Sequence, residues 1–141
     1  MARSLGKTDV SDLCTGATVL GTGGGGSPEL GLSILNRLLD MGKEMRLISV
    51  EEVPNDEIVI HPAMVGSIAA SKEGKIEMEK YVAKILSEEG PLLTGLRTLE
   101  EVLSKKIYAT VPVEIGGYNT PVAAILAALA GLPFVDGDTI G

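Results

Sequence analysis

The chain has 141 residues, of which 45% are hydrophobic and none is tryptophan, so it can form one domain around an aliphatic core. Its net charge of -7 comes without a basic stripe or a row of aromatic side chains, which speaks against broad nucleic-acid binding. Cys14 is the only cysteine, which leaves no internal disulfide and no CxxC metal pattern and fits a reducing, cytoplasmic setting. The longest apolar run, 121–135, is broken by Gly131 and Pro133 and falls short of the roughly 20 residues of a membrane span. Polar residues follow Met1 where a signal peptide would have its apolar segment.

Residues 1–7 read as a mobile lead-in. Thr8 can cap a first helix, whose apolar face is Val10, Leu13, Cys14, Ala17 and Leu20. A short strand over 17–20 is the alternative. Cys14 on that face reads as a structural thiol. A second helix is expected from Pro28 to Met41, with Ser27 as N-cap, Leu30, Ile34, Leu35, Leu38 and Met41 as its buried stripe, and Gly42 as the stop. Strands follow at 45–50 and 57–61. The turn between them is too short for an ordinary parallel crossover, so they are expected to be antiparallel or poorly aligned neighbours. Residues 63–73 read as a loop and 74–88 as a helix, ended by Gly90-Pro91. Thr98 to Glu101 has capping-box spacing and announces a short helix. Residues 107–113 form the best strand. Thr120 then caps a helix with Pro121 in its first position, Val122–Ala130 is apolar nearly all round, and Gly131 ends it. Phe134 to Asp136 is a last strand. The expected fold is a single layered α/β domain with a mostly parallel sheet flanked by helices, closing on a right-handed βαβ unit.

The most distinctive stretch is Gly21-Thr22-Gly23-Gly24-Gly25-Gly26-Ser27-Pro28. Glycine offers bare backbone in conformations closed to other residues. Leading into a helix start, such a loop presents N–H groups to an anionic or strongly polar ligand. That makes Gly23, Gly24, Gly25, Gly26 and Ser27 candidate binding residues. The alternative is a tight passage where two backbones cross. Gly21, Gly23 and Gly26 also satisfy the dinucleotide fingerprint formally, but the segment before them reads as helix rather than strand.

The βαβ unit makes a geometric prediction. Glu114 follows one strand, Asp136 ends the other, and Asp138 lies two residues on, so parallel pairing brings all three with Asn119 to one sheet edge. Ligands of open α/β folds bind at that carboxyl edge. Gly116 and Gly117 let a ligand approach there. Gathered carboxylates serve as general acid and base, or Asp136 and Asp138 hold a divalent metal such as magnesium. His61, the only histidine, is a further catalytic candidate at a strand end.

Three segments together resemble a known family: Gly16 to Gly26, Val113 to Asn119, and Gly131 to Gly141. They look like the amino-terminal domain of the S-methyl-thiohydantoin desulfurase type family, whose members are related to hydantoin utilisation. The resemblance implies a cytoplasmic protein linked to the breakdown of cyclic amides. Its motif positions fall on Gly21, Gly23–Gly26, Glu114, Gly116, Gly117, Asn119, Asp136 and Asp138. Members continue through an arginine-containing segment into a second domain, whereas this sequence ends at Gly141 within the last motif. The resemblance therefore implies one half of a two-domain protein or a split subunit, inactive alone if the other half supplies catalytic groups.

Three readings follow. In the first, the chain is an enzyme domain, a hydrolase or desulfurase, with Asp136 or Asp138 as base or metal ligand, Glu114 as second carboxylate and Asn119 reading ring amides. Glycine-loop N–H groups would stabilise oxyanion charge. In the second, it is a non-catalytic subunit that assembles with a hydantoinase-type hydrolase. In the third, it binds nucleotides. The expected partners are a small molecule and either a second copy or the missing half, with no nucleic acid and no membrane.

Overall fold

The computed structural model describes residues 2–63 and 75–140. The elements in chain order are β1 (Arg3–Ser4), α1 (Lys7–Leu20), α2 (Pro28–Asp40), β2 (Arg46–Ile48), β3 (Ile58–Ile60), α3 (Lys75–Leu86), α4 (Pro91–Leu103), β4 (Ile107–Thr110), α5 (Asn119–Ala130) and β5 (Pro133–Val135). They form two compact units: one from 1–64 with 107–141, the other from 65–106.

The larger unit is a five-stranded sheet in the order β1-β2-β5-β4-β3. β2, β5, β4 and β3 are parallel, and β1 alone is antiparallel. This is the expected α/β architecture with its closing βαβ unit. The lead-in is more ordered than the sequence suggests. Leu5 is buried, and its N–H donates to Met45 O at 2.8 Å, so one apolar side chain and three backbone residues tie the start of the chain to the sheet edge. Helix α1 accordingly starts one residue before Thr8. Gly6 is its N-cap, and the Gly6 N–H donates to the Asp9 carboxylate at 2.8 Å. Residues 17–20 are helical. Val10, Cys14 and Ala17 are buried, while Leu20 is exposed. Burial pushes the Cys14 thiol up to about 11, as expected of a structural thiol rather than a nucleophile.

The strands β2 and β3 correct another expectation. They are parallel but not neighbours, because β5 and β4 lie between them. The connector crosses the face of the sheet diagonally instead of folding back beside it. A single 3₁₀ turn, Val50–Glu52, starts the crossing. Val53 then packs on Ile48, Ala109, Val111 and Val135. Those four side chains share a face by the alternation of strand residues. The opposite face carries Thr110, whose Oγ1–H donates to Ala123 O at 2.8 Å inside α5. So α5 covers one face and the short connector the other. Helix α5 is buried from Thr120 to Leu129 because α2 packs on its far side. This explains an apolar sequence nearly all round.

In the smaller unit α4 runs from Pro91, with Gly90 as N-cap. Thr98 therefore lies inside a helix and starts nothing. Proline at a first helical position was the stronger start signal. Arg97 donates to the Glu88 carboxylate at 2.7 Å and to its backbone oxygen at 2.8 Å. The predicted loop at 63–73 and the start of the next helix at Gly74 fall largely outside the described residues. Among the described residues, no helix is long and apolar enough to cross a membrane.

Helix α2 meets α5 through a missing side chain. A Cβ on Gly31 would stand 2.5 Å from both Cβ and Cγ of Pro121. Around Gly16, on exposed α1, a Cβ would meet nothing within 4 Å. Two identical substitutions should therefore have opposite signs. Gly16→Ala should raise stability by about 0.5–1 kcal/mol, the usual gain of alanine over glycine in a helix. Gly31→Ala should lower it by about 1–3 kcal/mol through overpacking. Urea unfolding midpoints of the two variants check this.

Candidate functional site

The carboxyl ends of β2, β5, β4 and β3 open on one edge, and the loops that leave them carry the predicted polar residues. The glycine run reaches this edge from α1. It does so by a backbone crossing. A Cβ on Gly25 would lie 2.6 Å from Gly116 Cα, one on Gly116 would lie 2.9 Å from Gly25 Cα, and one on Gly21 would lie 2.8 Å from Gly116 Cα. A Cβ on Gly117 would run into the Gly26 carbonyl oxygen. Gly25 and Gly26 also have φ of 77° and 88°, values that suit glycine.

Hydrogen bonds fasten the crossing. The N–H of Gly117 donates to Gly24 O at 3.1 Å, and those of Tyr118 and Asn119 donate to Gly25 O at 2.6 and 3.0 Å. These donors belong to the first turn and entry of α5, which has no side-chain cap at Tyr118. Thr120 completes the turn: its N–H donates to Gly116 O, and its Oγ1 accepts from Gly116 N–H, both at 3.2 Å. The positive end of the α5 dipole therefore faces the carbonyl oxygens of Gly24 and Gly25. The tight passage of two backbones is what the structure contains.

The start of α2 is also satisfied within the chain. Ser27 Oγ accepts from Leu30 N–H at 3.2 Å and donates to Glu29 Oε2 at 2.8 Å. The Glu29 carboxyl is held below its ordinary value by its own backbone N–H and by the Ser27 hydroxyl. Ser27 is thus placed as a cap. The N–H groups of Gly23, Gly25 and Gly26 make no hydrogen bond among the described residues. The run lies between α1 and α2, so the strand-before-glycine context of a dinucleotide fingerprint is absent.

Of the polar residues at the edge, Glu114 and Asn119 are brought together: Asn119 Nδ2–H donates to Glu114 Oε1 at 3.0 Å. The loops after β4 and β5 are joined by a residue that sequence reasoning missed. Thr139 Oγ1–H donates to Val113 O at 2.7 Å, and Thr139 N–H reaches the same oxygen at 3.4 Å. This sets Asp138, which accepts from Ile140 N–H at 3.3 Å, beside the segment that carries Glu114. Nothing in a lone threonine after Asp138 announces that role. Asp136 is exposed, and its N–H extends the pairing with β2 by donating to Ile48 O at 2.8 Å. His61 follows β3 at the same edge, exposed, with no hydrogen bond or ion pair to these acids. Among the described residues no three His, Cys, Asp or Glu side chains gather closely enough to hold a metal ion. Among the described residues, Asp136 and Asp138 therefore have no third such side chain close enough to complete a metal group with them.

The sequence model of a family described as "S-Me-THD-like, N-terminal domain" matches residues 8–141. No curated protein matches the chain. A crystal structure of a protein from Chromobacterium violaceum is similar, with a TM-score of 0.62 and 24% identity, over 96% of this chain and 35% of that chain. This likeness shows the fold. The chain spans about a third of that protein's length.

The crossing predicts a graded response to alanine. At Gly23, with φ of 87° and nothing within 4 Å of a Cβ, the cost is conformational alone, about 1–2 kcal/mol. At Gly25 the overlap with Gly116 adds to the conformational cost, for a total of about 3 kcal/mol or more. Urea midpoints should rank wild type above Gly23→Ala above Gly25→Ala. Equal midpoints for the two variants would contradict the crossing.

Proposed function

This chain belongs to the S-Me-THD-like N-terminal domain family, and from that premise we propose that its sheet edge binds a small cyclic amide of the hydantoin or S-methyl-thiohydantoin class. The observation that carries this reading is the joining of the loops after β4 and β5 by Thr139 and Val113. It supports a shared polar patch of Glu114, Asn119 and Asp138, with Asp136 at its side. A cyclic amide has ring N–H donors, which carboxylates and an amide oxygen accept, and ring carbonyls, which the unpaired N–H groups of Gly25 and Gly26 can meet. In this reading Asp138 or Asp136 acts as general base toward a ring N–H or a water, and Glu114 is the second carboxylate. The oxyanion role belongs to the loop N–H groups left unpaired, because those of Gly117 to Asn119 are already paired.

A second protein surface at the same edge is favoured by exposed apolar side chains there. Val50, two residues after β2, is 59% exposed and Ile140, after Thr139, is 68% exposed. We read this domain as one share of a larger cytoplasmic assembly, with the remaining catalytic groups supplied by another domain, subunit or copy. Hydrolase or desulfurase chemistry is then a property of the assembly.

Isothermal titration of this chain with hydantoin and with S-methyl-thiohydantoin tests the binding reading. Saturable heat is expected with at least one ring. Asp138→Asn should weaken that binding by about 1.5–3 kcal/mol, the range for a hydrogen bond to a charged group, with the thermal midpoint unchanged. No heat at millimolar ligand, or full affinity in the variant, would overturn the assignment.

A further inference from the structure

The polar patch contains one group whose orientation is decided by chemistry. Asn119 Nδ2–H donates to Glu114 Oε1 at 3.0 Å. A carboxylate has no proton to give and only accepts. The amide of Asn119 therefore turns its nitrogen to Glu114 and its oxygen the other way. That Oδ1 accepts from no described residue and is not among the buried unpaired atoms, so it is open to a ligand. The backbone beneath it is fixed, because the Asn119 N–H donates to Gly25 O at 3.0 Å and the residue opens α5. The stretch 107–141 contributes no Lys or Arg to this edge, and its acids there, Glu114, Asp136 and Asp138, are acceptors as well.

Resting on the reading of the preceding subsection, we propose that Glu114 is a positioning residue that holds Asn119 Oδ1 toward the ligand, and that this makes the site select rings that present N–H donors. Without the carboxylate the amide turns over freely and offers N–H or oxygen alike. A neutral amide at position 114 has the same effect, since it can donate as well as accept. Asn119's share of the selectivity belongs to the pair, while the fold does not depend on it, because Glu114 is exposed.

Two probes test this: hydantoin, and 1,3-dimethylhydantoin, which has the same ring without its N–H groups. Titration of wild type should give an affinity for hydantoin at least about tenfold above that for the dimethyl ring, in keeping with unpaired site acceptors. In Glu114→Gln and Glu114→Ala the ratio should fall by about threefold or more, with thermal midpoints unchanged. Glu114→Asp should restore part of it. An undiminished ratio in Glu114→Gln overturns the positioning role while the ligand reading survives. Binding of neither ring by wild type overturns the ligand reading, and the selectivity with it. Side-chain amide signals of Asn119 in ¹⁵N NMR give a check free of ligand: one Nδ2 proton should shift between wild type and Glu114→Ala. Coincident spectra would overturn the positioning role.

Discussion

The backbone at Gly25 passes so near Gly116 that a methyl group on either residue would overlap the other strand of chain. Three N–H groups at the head of α5 then find acceptors in the carbonyls of Gly24 and Gly25. A buried helix end left without partners is costly. Here the cost is avoided by a second stretch of backbone rather than by a capping side chain, and only glycine allows that stretch to come close enough. The constraint links the end of α1, the start of α2 and the start of α5.

The position of the polar patch follows from this link. Asn119 is the first residue of α5 and is held by Gly25 O, so the glycine run sets where the Asn119–Glu114 pair stands. From the other side, Thr139 fastens the loop after β5 to Val113. The parallel order of β4 and β5 brings both loops to one edge, the usual ligand edge of α/β sheets. The glycines therefore contribute to the candidate site chiefly by shaping it. Their unpaired N–H groups, at Gly23, Gly25 and Gly26, are what they can offer a ligand directly.

Much of this was legible in the residues. The 3.6 spacing of Ile34, Leu35 and Leu38 marked α2, and Ser27-Pro28 marked its start to the residue. The all-apolar run after Pro121 marked a helix covered on every side, which α2 and the sheet provide. The placing of the loops after β4 and β5 at one edge followed from the βαβ unit. What was not legible depended on distant partners. The order of β2 and β3 was hidden because Val53 and one 3₁₀ turn do the work normally done by a crossover helix. The ordering of residues 3–5 rests on one buried leucine and on pairing with β2. The glycine run allowed either a ligand or a second backbone, and nothing local distinguishes the two. The deciding partner, Gly116, lies some ninety residues away.

Amide hydrogen exchange measured residue by residue tests the crossing most directly. The N–H groups of Gly117, Tyr118 and Asn119 should be protected nearly as well as those in the middle of α5, while those of Gly23 and Gly26 exchange at the rate of open loop. Fast exchange at 117–119, matching Gly23 and Gly26, would mean that the two backbones do not hold each other in solution, and the account of the edge built on them would fail.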